Sequence, residues 1–180
     1  LDKLTDRDVR IVYLPTMTVA AVYVVGDNCE DRAGALITQF ATDSGLLKVK
    51  PDARSFGFDA AKEAVVIGQS CKVYEMWVSV PDDMELPPPF IKRTFDGGLY
   101  AAHVLRRWDF ADWRLLGAWV KDNDRYEGDW NAPRWESAET IAGQGFEETL
   151  NFYHFVRKGG RMKDLQLDLL YPIKEKEEEK

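Results

Sequence analysis

Two adjacent carboxylates, Glu147 and Glu148, stand in the run F-E-E-T-L-N at 146–151. On a strand, neighbouring side chains point to opposite faces, so at most one of the pair enters a cleft. Phe146 and Leu150 share the parity of Glu148. If those two pack on helices, Glu147 points to the open face. A carboxylate in an apolar cleft is unfavourable unless paired or hydrated, and a cationic ligand would supply the pairing. The bland alternative is two solvated acids at a strand end. Tyr100 follows Gly97-Gly98 and precedes Ala101-Ala102, small neighbours that leave room for a ring and a ligand. A tyrosine and a carboxylate facing one cleft could polarise and deprotonate a water, the minimum for general acid–base hydrolysis. As a core tyrosine, Tyr100 would do neither.

Aromatic residues are the compositional oddity: 6 Trp, 7 Tyr and 9 Phe make 12% of the chain. Such rings fill cores, and they also line pockets for flat or cationic ligands. In V-Y-E-M-W-V-S-V at 73–80, alternation sets Tyr74, Met76 and Val78 against Glu75, Trp77 and Ser79. The first set is the better core, which makes Trp77 the cleft candidate. Phe56 and Phe58 share parity and could wall the same cleft. Trp108, Trp130 and Trp135 lie in or beside loops, where they either lid a pocket or anchor a surface. Trp113 and Trp119 are expected on a packed helix face. His103 and His154 lack a matching Ser, Cys or Asp spacing, so no triad is expected, and His103 reads as structural. Gly97-Gly98 and Gly159-Gly160 lack the strand–helix context of a phosphate loop.

The elements that must position these residues follow from periodicity. Residues 1–8 read as a polar lead-in. Strands are expected at 9–14 and 17–25, and a helix at 30–42 with Ala33, Leu36, Ile37, Phe40 and Ala41 on one face. Asn28 is its expected N-cap. A short strand is expected at 54–59 and a strong one at 73–80. Pro87-Pro88-Pro89 should form a stiff polyproline connector. Strands at 91–95 and 99–105 and a helix at 110–120 follow. Gly117 on that helix would let another element approach closely. A Trp- and Gly-rich loop is expected at 122–134, β-rich segments at 146–155 and 165–173, and a frayed charged tail at 175–180.

The second half repeats the first. P-T-M-T-V-A-A-V at 15–22 and D-G-G-L-Y-A-A-H-V at 96–104 each precede a helix, and each half ends in a strand plus proline. The reading is a single α+β domain over 1–180, with pseudo-repeats at about 9–81 and 90–174. Two strand–helix–strand–strand units would form one antiparallel sheet with helices on one face. The other face, free to curve, would carry a ligand cleft.

The whole chain of 180 residues has a net charge of −7 and a sequence pI near 5.0. The acidic balance, without a dense Lys/Arg cluster, argues against nucleic-acid binding, and no direct nucleic-acid contact by this segment is expected. No apolar run reaches the roughly 18–20 residues that span a bilayer, and no signal peptide is expected in the first residues. Cys29 and Cys71 form neither a disulfide framework nor a metal-ligand spacing, which fits a reducing cytoplasm. No metal and no cofactor is expected.

Taken in order, V-R-I-V-Y-L-P-T-M-T-V-A-A at 9–21, F-G-F at 56–58, Y-E-M-W-V-S-V-P at 74–81, F-D-G-G-L-Y-A-A at 95–102, W-R-L-L-G-A-W-V at 113–120, F-E-E-T-L-N at 146–151 and L-Q-L-D-L-L-Y-P-I-K at 165–174 resemble the GyrI-like small-molecule-binding family, the effector-binding domain of MerR- and AraC-type transcription regulators. The resemblance implies two βαββ units about a pseudo-twofold axis. It implies an aromatic cleft with a buried Glu for hydrophobic, often cationic aromatic drugs. The family motif favours Glu147, although Thr149 stands where the family has an aromatic. The expected activity is drug sensing in transcription regulation, or sequestration by a standalone protein. The alternative is a hydrolase that opens the cyclopropane ring of DNA-alkylating natural products with Glu147 and Tyr100. The expected partner is a small molecule, with no membrane; a homodimer is an open assembly.

Overall fold

The computed structural model describes residues 3–60, 73–130 and 145–178. Nine strands are present among them: β1 (Arg10–Leu14), β2 (Met17–Val25), β3 (Ser55–Asp59), β4 (Val73–Ser79), β5 (Ile91–Phe95), β6 (Gly98–Val104), β7 (Tyr126–Gly128), β8 (Phe146–Thr149) and β9 (Leu167–Glu175). The helices are α1 (Cys29–Asp43), α2 (Leu46–Val49), α3 (Asp112–Asp122) and α4 (Phe152–Arg157). The strands form an antiparallel sheet in the order β1-β6-β9-β8-β3-β4-β2-β5, with β7 added to β9. The fold is α+β, and its strand order reads symmetrically about the β8–β3 junction. Each half lends its first strand to the other: β1 pairs with β6, and β5 pairs with β2.

The sheet has two unlike faces. On one, Ile37, Phe40 and Ala41 of α1 pack on Ala20, Val22 and Val78. On the same face Leu115, Leu116 and Val120 of α3 pack on Ala101, Leu169 and Ile173. Gly117 does admit a close neighbour, since a Cβ there would lie 3.4 Å from the Tyr171 ring. The other face is filled by side chains of its own strands, including Phe56, Trp77, Phe95, Tyr100 and Phe146. Leu14 of β1 and Phe95 of β5 come from opposite ends of the strand order yet share this cluster. The sheet therefore curls until its concave face closes on itself. Ring centroids there lie 5.1–6.2 Å apart in tilted and edge-on pairs, a geometry that contributes about 0.5–1.5 kcal/mol per pair beyond burial.

That curl moves the expected cleft to the other side. Among the described residues the concave face is filled by its own side chains, whereas α1 covers β2 and β4 and α3 lies over β6 and β9. The central strands β3 and β8 lie between the two helices, and a groove opens above them.

Several local expectations are corrected. Only 146–149 of the expected segment 146–155 is strand; Phe152, Phe155 and Val156 are buried at helical spacing and form one face of α4. Asn28 does hold the N-cap position of α1, its carbonyl accepting from the Arg32 N–H over 2.9 Å, but in a left-handed conformation with φ 54° and without a side-chain cap. The proline connector turns, with the Phe90 N–H donating to the Pro87 carbonyl over 3.0 Å. The lead-in is anchored: Leu4 is buried against α3, and the Asp8 carbonyl meets His103 Nδ1 at 2.8 Å. No described helix is long and apolar enough to cross a membrane.

Candidate functional site

β8 meets β3 through Gly57 opposite Glu147 and Phe56 opposite Glu148. Strand alternation then separates the two acids. Glu148 goes to the concave side, where Arg54 donates to both of its oxygens at 2.7 Å. It is an internal ion pair and lines no part of the groove. Glu147 goes to the helix side, at the centre of the sheet.

The groove above Glu147 is a cavity of about 480 Å³, within the range of small-molecule sites. Gly34, Ala35 and Thr38 of α1 form one wall with little side-chain bulk. Phe152 and Phe155 of α4 form another. Trp108 and Phe110, from the turn before α3, stand at the mouth with ring centroids 5.6 Å apart. Both are partly exposed, and Arg107 and Trp108 hold φ near 53° and 54°. Adjacent left-handed conformations in residues other than glycine cost free energy and persist where the surroundings fix them, often at binding sites.

Glu147 is held by two donors. The Tyr74 hydroxyl donates to Oε2 over 3.1 Å, and the Trp113 indole N–H donates to Oε1 over 3.3 Å. Burial pushes its carboxyl above the ordinary glutamate range. The two hydrogen bonds pull the other way, and Glu30 and Asp59 push it up again. Burial also drives the Tyr74 hydroxyl well above the ordinary tyrosine value, with the Glu147 charge adding to it. Tyr74 therefore remains a proton donor. Gly57 makes the contact feasible, because a Cβ there would collide with the Tyr74 hydroxyl and lie 2.8 Å from Cε1.

The cavity's charge has one sign. Glu30 and Asp31, in the first turn of α1, line it together with Glu147. None of the described lining residues is Lys, Arg or His. A carboxylate partly withdrawn from water among apolar walls is unfavourable alone and favourable beside a cation. Among the described residues no cluster of His, Cys, Asp and Glu could hold a metal ion.

Of the residues expected at the site from sequence, Glu147 and Trp108 line this cavity. Phe56, Phe58, Trp77 and Tyr100 lie on the concave face, buried in its aromatic cluster. The reason is the face exchange: Tyr74, Met76 and Val78 face the helices as expected, but the cavity is on that side. Phe58 also borders a smaller recess of about 170 Å³, between Trp113 and Trp130. Trp135 lies outside the described residues. His103 is internal, with Nε2 2.8 Å from Asp112. Sequence reasoning missed Tyr74, Trp113 and Gly57. The F-G-F run carried a signal for Gly57, because a lone glycine inside a strand marks close approach by another group.

The family model of Cass2, an integron-associated effector-binding protein, matches residues 10–173. No curated protein matches the sequence. Among solved structures, a hydrolase from Listeria innocua is similar with 11% identity and a TM-score of 0.54, over 93% of this chain and 92% of that one. A second hydrolase structure from Listeria innocua gives 11% identity and a TM-score of 0.52 over the same shares. The SAV2435 protein bound to tetraphenylphosphonium gives 8% identity and a TM-score of 0.46, over 92% and 93%. For the two Listeria innocua structures, at 11% identity, the likeness is one of fold.

Proposed function

The chain belongs to the integron-associated effector-binding proteins, a GyrI-like family of small-molecule binders, and from that premise we propose that it binds hydrophobic, cationic aromatic compounds in the cavity above Glu147. The observation that carries the reading is a half-buried carboxylate on the cavity floor, with two further acids and no basic residue among the described cavity lining. A ligand cation would replace the missing counter-charge. Trp108 and Phe110 would stack on its rings, each worth roughly 0.5–2 kcal/mol for a cationic partner. Apolar walls tolerate differing shapes, which suits a cytoplasmic drug sensor or sequestering domain acting on several compounds.

One contact favours a second reading, hydrolysis of cyclopropane-bearing compounds. The Tyr74 hydroxyl and the Glu147 carboxylate are 3.1 Å apart at the cavity floor, an acid and a base that could flank a water. The role assigned from sequence to Tyr100 would pass to Tyr74.

Tryptophan fluorescence with a panel of cationic and neutral aromatic compounds, followed by mass spectrometry of the compounds, tests both. Saturable quenching with unchanged compounds supports binding alone. A hydrated product makes the protein a hydrolase. Absence of quenching by every cation overturns the cavity reading.

A further inference from the structure

The Glu147 carboxylate is not the only polar group on the cavity floor. Ser55 opens β3 with its side chain on the same face as Gly57, and it lines the cavity. The residue is fully buried, and its hydroxyl has no hydrogen-bond partner among the described residues. A buried hydroxyl without a partner is unfavourable, and buried polar groups ordinarily find one. The register that sets Gly57 against Glu147 places Ser55 against Thr149, which is also buried and also lines the cavity. Two hydroxyl residues thus sit side by side, two positions along the strands from the carboxylate. Strand geometry puts that separation at about 6.5–7 Å from Thr149 along β8 and at about 7–8 Å on the diagonal from Ser55.

We propose that Ser55 and Thr149 form a second polar station of the binding site. It would take a neutral hydrogen-bonding group, such as a hydroxyl, ether or carbonyl oxygen, on a ligand whose cationic centre sits on Glu147. The ligand class is then narrower than apolar cations: a cationic amphiphile whose oxygen and charge are separated by about the 7–8 Å between the two stations. This inference rests on the cavity reading above. The unpartnered hydroxyl supplies the specificity, because a ligand oxygen gains a bond that no described protein group provides.

The test uses two cations of one aromatic skeleton, one with a carbonyl oxygen at that distance and one with a methylene in its place. Isothermal titration compares the intact protein with Ser55→Ala and Thr149→Val. The proposal expects Ser55→Ala to weaken the carbonyl cation about 3- to 10-fold, the range of one neutral hydrogen bond, and to leave the methylene cation within twofold. Thermal unfolding of ligand-free Ser55→Ala should be unchanged or raised, because the variant removes an unpartnered polar group. Thr149→Val gives an independent second variant with the same discrimination. Equal affinity loss for both cations, or no loss for either, overturns the polar station while the cavity reading stands. Failure of both cations to bind the intact protein overturns the cavity reading and the station with it.

Discussion

Tyr74 reaches Glu147 by lying across Gly57. Its hydroxyl donates to Oε2 over 3.1 Å, from β4 to β8, with the glycine of β3 between them. A donor from one half of the sheet and a carboxylate from the other thus meet at the junction of the halves. A missing side chain on the intervening strand makes the meeting feasible.

Gly57→Ala should therefore act through Tyr74. The added methyl would collide with the Tyr74 ring, and overpacking of this kind costs about 1–3 kcal/mol. Urea unfolding of Gly57→Ala, Tyr74→Leu and the double variant would measure the coupling. The two losses should fall short of additivity by at least about 0.5 kcal/mol, the threshold for residues in contact. Strict additivity would mean that the tyrosine is not where the structure has it.

The pH dependence has a fixed sign. Burial raises the folded-state pKa of Glu147 above its unfolded value. Its ionisation in the fold therefore opposes stability: the cost is absent below the ordinary glutamate range, grows as pH rises toward the raised value, and persists above it. Glu147→Gln should accordingly raise the melting temperature of the ligand-free protein at neutral pH, and the gain should disappear on acidification. Cation affinity should run the other way, falling as pH drops through the raised pKa, while a neutral ligand stays level. Trp113→Phe, which removes one donor, should shift that fall to higher pH.

Trp108 stands at the cavity mouth with 45% of its surface exposed. Trp108→Ala should weaken cationic aromatic ligands by roughly 0.5–2 kcal/mol, the range of a cation over an indole face. An aliphatic ammonium too small to reach the mouth should lose little. Titration calorimetry with one compound of each kind distinguishes this from a general loss of the fold, which would weaken both.

His103 is a structural group with a different signature. Its Nε2 faces Asp112 and its Nδ1 faces the Asp8 carbonyl, both at 2.8 Å, with the ring 2% exposed. The hydrogen bond and the nearby charges of His103 and Arg106 hold the Asp112 carboxyl below its ordinary value against burial. Removing one partner of a buried pair costs about 3–5 kcal/mol. His103→Ala should lower stability by that order in guanidinium titrations, while ligand affinity of the folded fraction changes little.

Much of this architecture was legible in the sequence, because it rests on local periodicity. Alternation in 73–80 and helical spacing in 30–42 and 113–120 marked the main elements, and the A-A pairs at 20–21 and 101–102 marked the repeat. What alternation cannot assign is which side of a curled sheet is hollow. Alternation sets Trp77 apart from Tyr74, Met76 and Val78, as the structure has it, yet the face that Trp77 shares with Tyr100 is filled by side chains. Glu147 was separable from Glu148 by parity. Its partners were not, because Tyr74 and Trp113 reach it from 73 and 34 positions away. The exchange of β1 and β5 between halves is likewise a long-range pairing without a local signal.

Selection of the ligand by the Glu147 charge is open to a direct test. The measurement that tests it most directly is calorimetric binding of a matched pair, an aromatic cation and its neutral isostere, to the intact protein and to Glu147→Gln. The variant should lose about 1.5–3 kcal/mol toward the cation, the range for an interaction with a charged group, and keep its affinity for the neutral compound. Equal changes for the two compounds would contradict it.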